Sequence, residues 1–248
     1  MIAALLRRIR LGAARPREAE PPHFIRSYDI LVDNLLRAYP RDVAMSVAVG
    51  GEFSRMGELQ LAVLRHFGLA ADTRLFDLGC GSGRLAAALG RELPSVLYHG
   101  SDINSALLGH ARSLSPRAFR FSLSRTLAIP AADASADMAS AFSVFTHLKH
   151  TETYVYLIEM RRVLRPRGRL VLSFLEFGSP RHWPIFVQSV GVERYGTALH
   201  LNEFIGRDTI RLWAAKIGFD VEGFVGDDEA PWGDAGPFGQ SLAVLVRH

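Results

Sequence analysis

Residues 73–90 read TRLFDLGCGSGRLAAALG: an apolar run closed by an acid, three glycines at alternate positions, then an alanine-rich helical segment. The run Arg74–Leu78 has the length and apolar density of a buried strand, and GCGSG has the composition of a tight turn at its carboxyl end. Such a turn feeds a helix whose first N–H groups have no intrahelical partner and face the crevice above the sheet. Glycine at 79, 81 and 83 removes the Cβ atoms that would hold a ligand off the main chain and admits positive φ. Asp77 beside the turn decides what kind of ligand is expected. A pyrophosphate would be repelled by it, whereas a group carrying an ammonium would gain a charge-assisted hydrogen bond.

Outward from this turn, short β-rich runs alternate with helical patterns, the signature of a parallel sheet covered by helices on both faces. Strands are expected near Arg74–Leu78, Val96–Ser101, Ala118–Leu123, Asp137–Phe145 and Arg169–Leu175, with two more near Asp220–Val225 and Ser241–Arg247. Of the helices between them, TETYVYLIEMRRVLRPRG sets Tyr154, Leu157, Ile158 and Leu164 on one face, with Thr151 as cap and Pro166 and Gly168 as stops. RDTIRLWAAKIGF does the same with Ile210, Trp213, Ala214 and Ile217, started near Asp208 and ended by Gly218. Before Thr73, SYDILVDNLLRAY and RMGELQLAVLRHFGL are helical without strands and are expected to cap the sheet. Residues 176–206 carry Pro, Gly, His and aromatics without period, an insertion of the length usually reserved for function.

The whole chain of 248 residues, 48% hydrophobic, is enough for one α/β domain over 23–248 behind a flexible leader, 1–22. Within it the helical cap spans 23–72, the ligand-binding core 73–175, the insertion 176–206, and a terminal helix with its strand pair 207–248. The apolar start of the leader is too short to span a bilayer, so no stable membrane insertion is expected. A formal charge of +4 comes from arginines scattered among acids, with lysine only at 149 and 216, and no basic stripe with interleaved aromatics marks a nucleic-acid surface. The single cysteine, Cys80, excludes an internal disulfide, and a cytoplasmic setting is expected. The acids of GDDEAPWGD are consecutive in a Gly/Pro loop and have no reason to converge on a cation, so no metal is expected.

A second acid supports an adenosyl-type ligand. LYHGSDIN ends the expected second strand at Asp102, where a carboxylate can accept both hydroxyls of a ribose, and Ile103 can lie against a base. With these residues in register the chain resembles the class I S-adenosylmethionine-dependent methyltransferases. FDLGCGSGR is similar to their first motif, GSDI to the ribose-binding acid, AIPAADASADMASAFSVFTHL to the fourth-strand region, and VLRPRGRLVLSF to the approach to the fifth strand. The SVFTHL variant, with VGGEF and Gly57 upstream, resembles a bacterial subgroup of varied acceptors.

The resemblance implies a Rossmann-like α/β fold: a doubly wound, mostly parallel seven-stranded sheet in the order 3-2-1-4-5-7-6, its last strand antiparallel. It implies S-adenosylmethionine as cofactor, bound by Asp77, Gly79, Cys80, Gly81, Gly83, Asp102, Ile103, Phe142 and Ser143. Asp77 would face the methionine end and Asp102 the ribose, while the acid usual near the third strand's end is replaced by Ser122, Ser124 and Arg125. Pro166-Arg167-Gly168 would be a surface turn.

The expected reaction moves a methyl group to an oxygen or nitrogen of a small molecule, lipid headgroup or sugar. His147, after the fourth strand, has the near-neutral titration suited to a general base. Glu176, His182 and Trp183 are candidates for the acceptor pocket, entered beneath the insertion. Two alternatives share the glycine turn: an NAD(P)-dependent oxidoreductase, since GSGRLA also satisfies G-x-G-x-x-A, and a non-catalytic partner protein that binds S-adenosylmethionine.

Overall fold

In the computed structural model, residues 22–196 and 201–248 are described; all of the expected leader except Pro22 lies outside them. Three helices come first: α1 (His23–Ala38), α2 (Arg41–Val47) and α3 (Phe53–His66). The alternation follows as β1 (Arg74–Leu78), α4 (Arg84–Glu92), β2 (Leu97–Asp102), α5 (Ser105–Ser113), β3 (Arg120–Leu123), β4 (Ala136–Ala141), α6 (His150–Val163) and β5 (Leu164–Phe174). After β5 come α7 (Trp183–Tyr195), α8 (Arg207–Ile217), β6 (Phe219–Val225) and β7 (Ser241–Arg247). The strands form one seven-stranded sheet in the order 3-2-1-4-5-7-6, with β7 antiparallel to β5 and β6, as the resemblance implied.

Strand alternation sorts the core into two layers. On β1, Phe76 and Leu78 join the cluster that includes Leu157, Met160 and Leu172, while Leu75 joins Leu61, Leu89 and Tyr98 on the opposite face. Asp77 shares the Leu75 face, two residues along. A third cluster, Val32, Ala44, Met45, Ala48 and Leu107, ties α1 and α2 to α5 at the end of the sheet where the glycine turn emerges. The N-terminal helices therefore cover the carboxyl ends of the strands as well as flanking the sheet.

Several local expectations shift. On α6 the buried face is Thr153, Tyr156, Leu157, Met160 and Val163, and Ile158 is 47% exposed, so the stripe is rotated by about one position. The helix begins at His150, with the Glu152 side chain accepting the Lys149 N–H at 2.9 Å, so Thr151 is not its cap. Pro166-Arg167-Gly168 lies inside β5 as a kink, Arg167 at φ +67°, where β5 and β4 slip register. Residues 183–195 form α7, which has no single apolar stripe; Pro184 suits its first turn and Gly196, at φ +72°, ends it. On α8 the expected Gly218 stop stands at φ +96°.

Candidate functional site

A cavity of about 500 Å³ opens where the first two strands end. Its floor is the glycine turn and the end of β2, with Leu78, Gly79, Gly81, Ser101, Asp102 and Ile103 on the wall. Its roof is the helical cap, through Phe24, Tyr28 and Leu31 of α1 and Val47 to Gly50 at the end of α2 and just beyond it. The far side is built by Phe142, Ser143 and Val144 after β4, by His147 and Leu148, by Tyr156 of α6 and by Gln240.

Asp102 is set in place by backbone donors. Gly81 N–H donates to one carboxylate oxygen at 2.9 Å and Asn104 N–H to the other at 3.0 Å, which leaves each oxygen further lone pairs. Burial raises its pKa, and these N–H groups pull it back. Asn104, whose side chain caps α5 by accepting from Ala106 and Leu107 N–H, anchors the loop from β2. The hydroxyl of Ser101, a wall residue, is buried with no hydrogen-bond partner among the described residues, an orphan beside the ligand space.

The glycines do more than admit a ligand. Gly79, Gly81 and Gly83 stand at φ +67°, +57° and +92°, and a Cβ on each would meet Val144 Cγ2 at 2.5 Å, Val49 Cγ1 at 2.7 Å and Ala111 Cα at 2.7 Å. Gly83 thus packs α4 against α5 and is not on the cavity wall. Upstream, a Cβ on Gly57 would run into the Arg84 carbonyl, which explains glycine in α3 where it crosses α4.

Asp77 lies elsewhere than its sequence position suggested. Tyr98 O–H donates to one of its oxygens at 2.7 Å and Ser140 O–H to the other at 2.7 Å, inside the sheet layer, and its side chain does not line the cavity. Burial pushes its pKa up to about 6 against those two hydroxyls. Cys80 is likewise buried off the wall, its thiol pushed up by burial.

His147 closes the short 3₁₀ turn Phe145–His147. Its Nδ1 stands 2.8 Å from the Leu201 carbonyl, which can only accept, so Nδ1 carries the proton and Nε2 the lone pair of the neutral ring. Burial lowers its pKa, against the opposing pull of that carbonyl. Phe142 packs against Phe238 with ring centroids 5.1 Å apart, and Ser143, at φ +57°, donates its N–H to Ser173 Oγ at 2.7 Å.

The three acceptor candidates are not on this cavity. Glu176 is held by Arg207 at 2.7 and 2.9 Å and by the Ser241 hydroxyl at 2.5 Å. Burial opposes its charge, but those donors outweigh it and keep its pKa below the ordinary value. His182 is fully buried, its Nδ1 accepting the Glu176 N–H at 3.1 Å. Trp183 is 51% exposed at the outer start of α7, against Phe186. No described residue of 176–206 lines the cavity. The insertion instead braces the 3₁₀ turn, with Leu201 on His147 and Glu203 N–H on the Thr146 carbonyl at 2.8 Å.

Sequence reasoning missed Tyr28, Tyr156, Gln240 and Arg84 as wall residues. Arg84, first in α4, follows Gly83 directly, and its guanidinium donates to the Gly51 carbonyl at 3.3 Å. An arginine one residue past the third glycine was the available signal. The orphaned Ser101 hydroxyl, the backbone of Gly79 and Gly81 on the wall, an acid and a base at the same wall and the apolar Ile103 and Phe142 suit a ligand with a polar sugar, a flat base and a zwitterionic tail. S-adenosylmethionine is a ligand of that kind. Among the described residues no group of three or more metal-ligating side chains converges.

Residues 76–172 match the Methyltransferase domain family. Over 91% of this chain and 99% of its own, a methyltransferase of Thermotoga maritima superposes with TM-score 0.60 at 17% identity. Magnesium protoporphyrin IX methyltransferase from Synechocystis, solved with S-adenosylhomocysteine, gives 0.57 at 18% identity over 79% of this chain and 86% of that one. A TehB-like methyltransferase of Corynebacterium glutamicum gives 0.54 at 19% over 91% and 98%. With its sheet order, its acid-and-glycine turn and this domain match, residues 76–172 carry a methyltransferase domain, similar in fold to S-adenosylmethionine-dependent methyltransferases.

Proposed function

We propose that this enzyme transfers the methyl group to an oxygen or nitrogen of a small molecule, lipid headgroup or sugar held in the cavity described above, with His147 as general base. One observation carries this: His147 sits on the same wall as Asp102 with its Nδ1 proton committed to the Leu201 carbonyl. That bond directs the basic character of the ring to Nε2, and burial keeps the ring neutral at neutral pH.

When bound, the cofactor supplies a methyl group already activated on a sulfonium. The chain's own residues orient both partners and accept one proton. Asp102 would hold the ribose hydroxyls, with Ser101 within the same wall. Arg84 would meet the carboxylate of the amino-acid end. Asp77, engaged by Tyr98 and Ser140, would act on the cofactor's ammonium through its field beneath the turn. Ser124, whose side chain donates to the Ala128 carbonyl at 2.8 Å, would border the base. Arg125 is committed to Asp29 at 2.7 Å, and the Ser122 hydroxyl pairs with His99 at 2.8 Å. His147 Nε2 would accept the proton that the acceptor's oxygen or nitrogen releases as it becomes methylated. A lone buried cysteine, and no described helix long and apolar enough to cross a membrane, support the cytoplasmic setting.

His147→Gln tests the assignment. S-adenosylhomocysteine affinity, measured by calorimetry, should stay within twofold, while turnover over an acceptor panel should fall about 10²- to 10⁴-fold. Undiminished turnover would leave alignment of the reactants as the whole of catalysis and remove His147 from it.

A further inference from the structure

A second hollow lies at the other edge of the sheet, and its charge is mostly positive. It holds about 420 Å³ between the last turns of α6 and α8 and the end of β7, and shares no wall residue with the cavity above the glycine turn. Asp133 and Ala134 on its wall precede β4, and Arg247 donates to the carbonyl of Leu164, the first residue of β5, so the hollow sits where these parallel strands begin. Four wall residues are cationic: Arg161, Arg162, Lys216 and Arg247. Arg162 is accounted for, donating to Glu159 at 2.7 Å and to Asp133 at 2.8 Å. The other three have no carboxylate partner among the described residues. The Nε atoms of Arg161 and Arg247 are each buried with no hydrogen-bond partner among them.

Part of this charge has a local reason. Arg161 and Lys216 stand in the last turns of α6 and α8, where the free carbonyls of each helix carry roughly half a negative charge. Two helix ends thus amount to about one negative charge against three full positive ones, and most of the positive charge stays uncompensated. Nor do helix ends account for two guanidinium N–H donors withdrawn from water and left unpaired, an arrangement that folding disfavours. An anion in the hollow resolves both. Guanidinium forks match the oxygens of a phosphate, and a lysine adds a point charge that needs no fixed alignment. Arg165 and Arg169, on the same edge, are paired with Asp137 at 3.1 Å and Glu222 at 2.7 Å, which favours a compact anion over a long polyanion. We infer that this hollow binds a small, multiply charged phosphate ligand through Arg161, Lys216 and Arg247, at a site separate from that of the cofactor.

The experiment is a calorimetric titration of inorganic pyrophosphate into the full chain, at an ionic strength held constant with sodium chloride. One saturable site is expected. Arg161→Gln and Lys216→Gln should each weaken it by about tenfold or more, the loss of one charge-assisted hydrogen bond, with melting curves to check that both variants fold. Lys216 is exposed, so its variant keeps the test decisive if Arg161→Gln disturbs the packing beside Gly218. Arg37→Gln removes an exposed cation from the last turn of α1 instead, and should leave the affinity within about twofold, since nothing places it at this hollow. No saturable binding, an affinity unmoved by Lys216→Gln, or equal weakening by Arg37→Gln overturns the inference. A twelve-nucleotide single-stranded RNA that bound much more tightly than pyrophosphate, and lost that affinity in the same variants, would also overturn it and make the hollow part of a nucleic-acid surface.

Discussion

Asp102 and Glu176 both stand where a strand of the sheet ends, yet they meet opposite fates. Asp102 accepts from backbone N–H groups, Gly81 and Asn104 among them, and keeps a face on the cavity. Glu176 is taken up by a bidentate arginine 31 residues onward and by a serine hydroxyl 65 residues onward. Position at the carboxyl edge makes an acid available to a ligand; whether it remains available depends on which cation the chain brings back to it. Neighbouring backbone can orient a carboxylate without neutralising it, whereas a guanidinium satisfies it.

The comparison can be broken by substitution. The largest effect is expected for Gly83→Ala, which needs a left-handed conformation and pushes a methyl into Ala111; it should destabilise the fold by about 2–5 kcal/mol in urea titration. A small loss there would mean that α4 and α5 can separate freely. Next is the pH dependence set by Asp77. Its folded pKa of about 6 lies above the usual 3.8. The stability it contributes is therefore complete below about pH 4 and lost as the pH rises through 6, on the order of 3 kcal/mol for roughly two pH units. Asp77→Asn should flatten that slope in denaturation curves taken across the window, and an unchanged slope would show another group responsible.

Asp102→Asn should weaken S-adenosylhomocysteine binding by about 1.5–3 kcal/mol by calorimetry, with little change in the melting of the free protein. The matching change in the other region, Glu176→Gln, should do the reverse: about 1 kcal/mol of stability lost, cofactor affinity unchanged. If both variants weakened cofactor binding equally, the distinction between the two acids would fail.

Much of the sheet was legible because its signals are local. Arg74–Leu78 and Ser241–Arg247 are bounded as their apolar runs suggested, and Gly218 ends α8 where a left-handed residue was needed. The glycine turn was legible for the same reason, although its spacing alone could not reveal that Val144, Val49 and Ala111 would crowd each position. α7 escaped notice because its apolar residues are spread around the helix, so no stripe announced it. Tyr28 and Tyr156 escaped as wall residues because each looks like an ordinary member of an amphipathic helix until the cap closes over the sheet.

By itself, the order of residues determined the alternation of strands and helices, the strained turn after β1 and the presence of an acid near the end of β2. These follow from backbone stereochemistry and hydrophobic period, which act over a few residues. The tertiary structure alone decided that Asp77 lies under two hydroxyls, that Glu176 belongs to Arg207, and that Leu201 fixes which nitrogen of His147 is basic. Charge and proton position are settled by whichever groups come within hydrogen-bonding distance, and those partners arrive from segments tens of residues away.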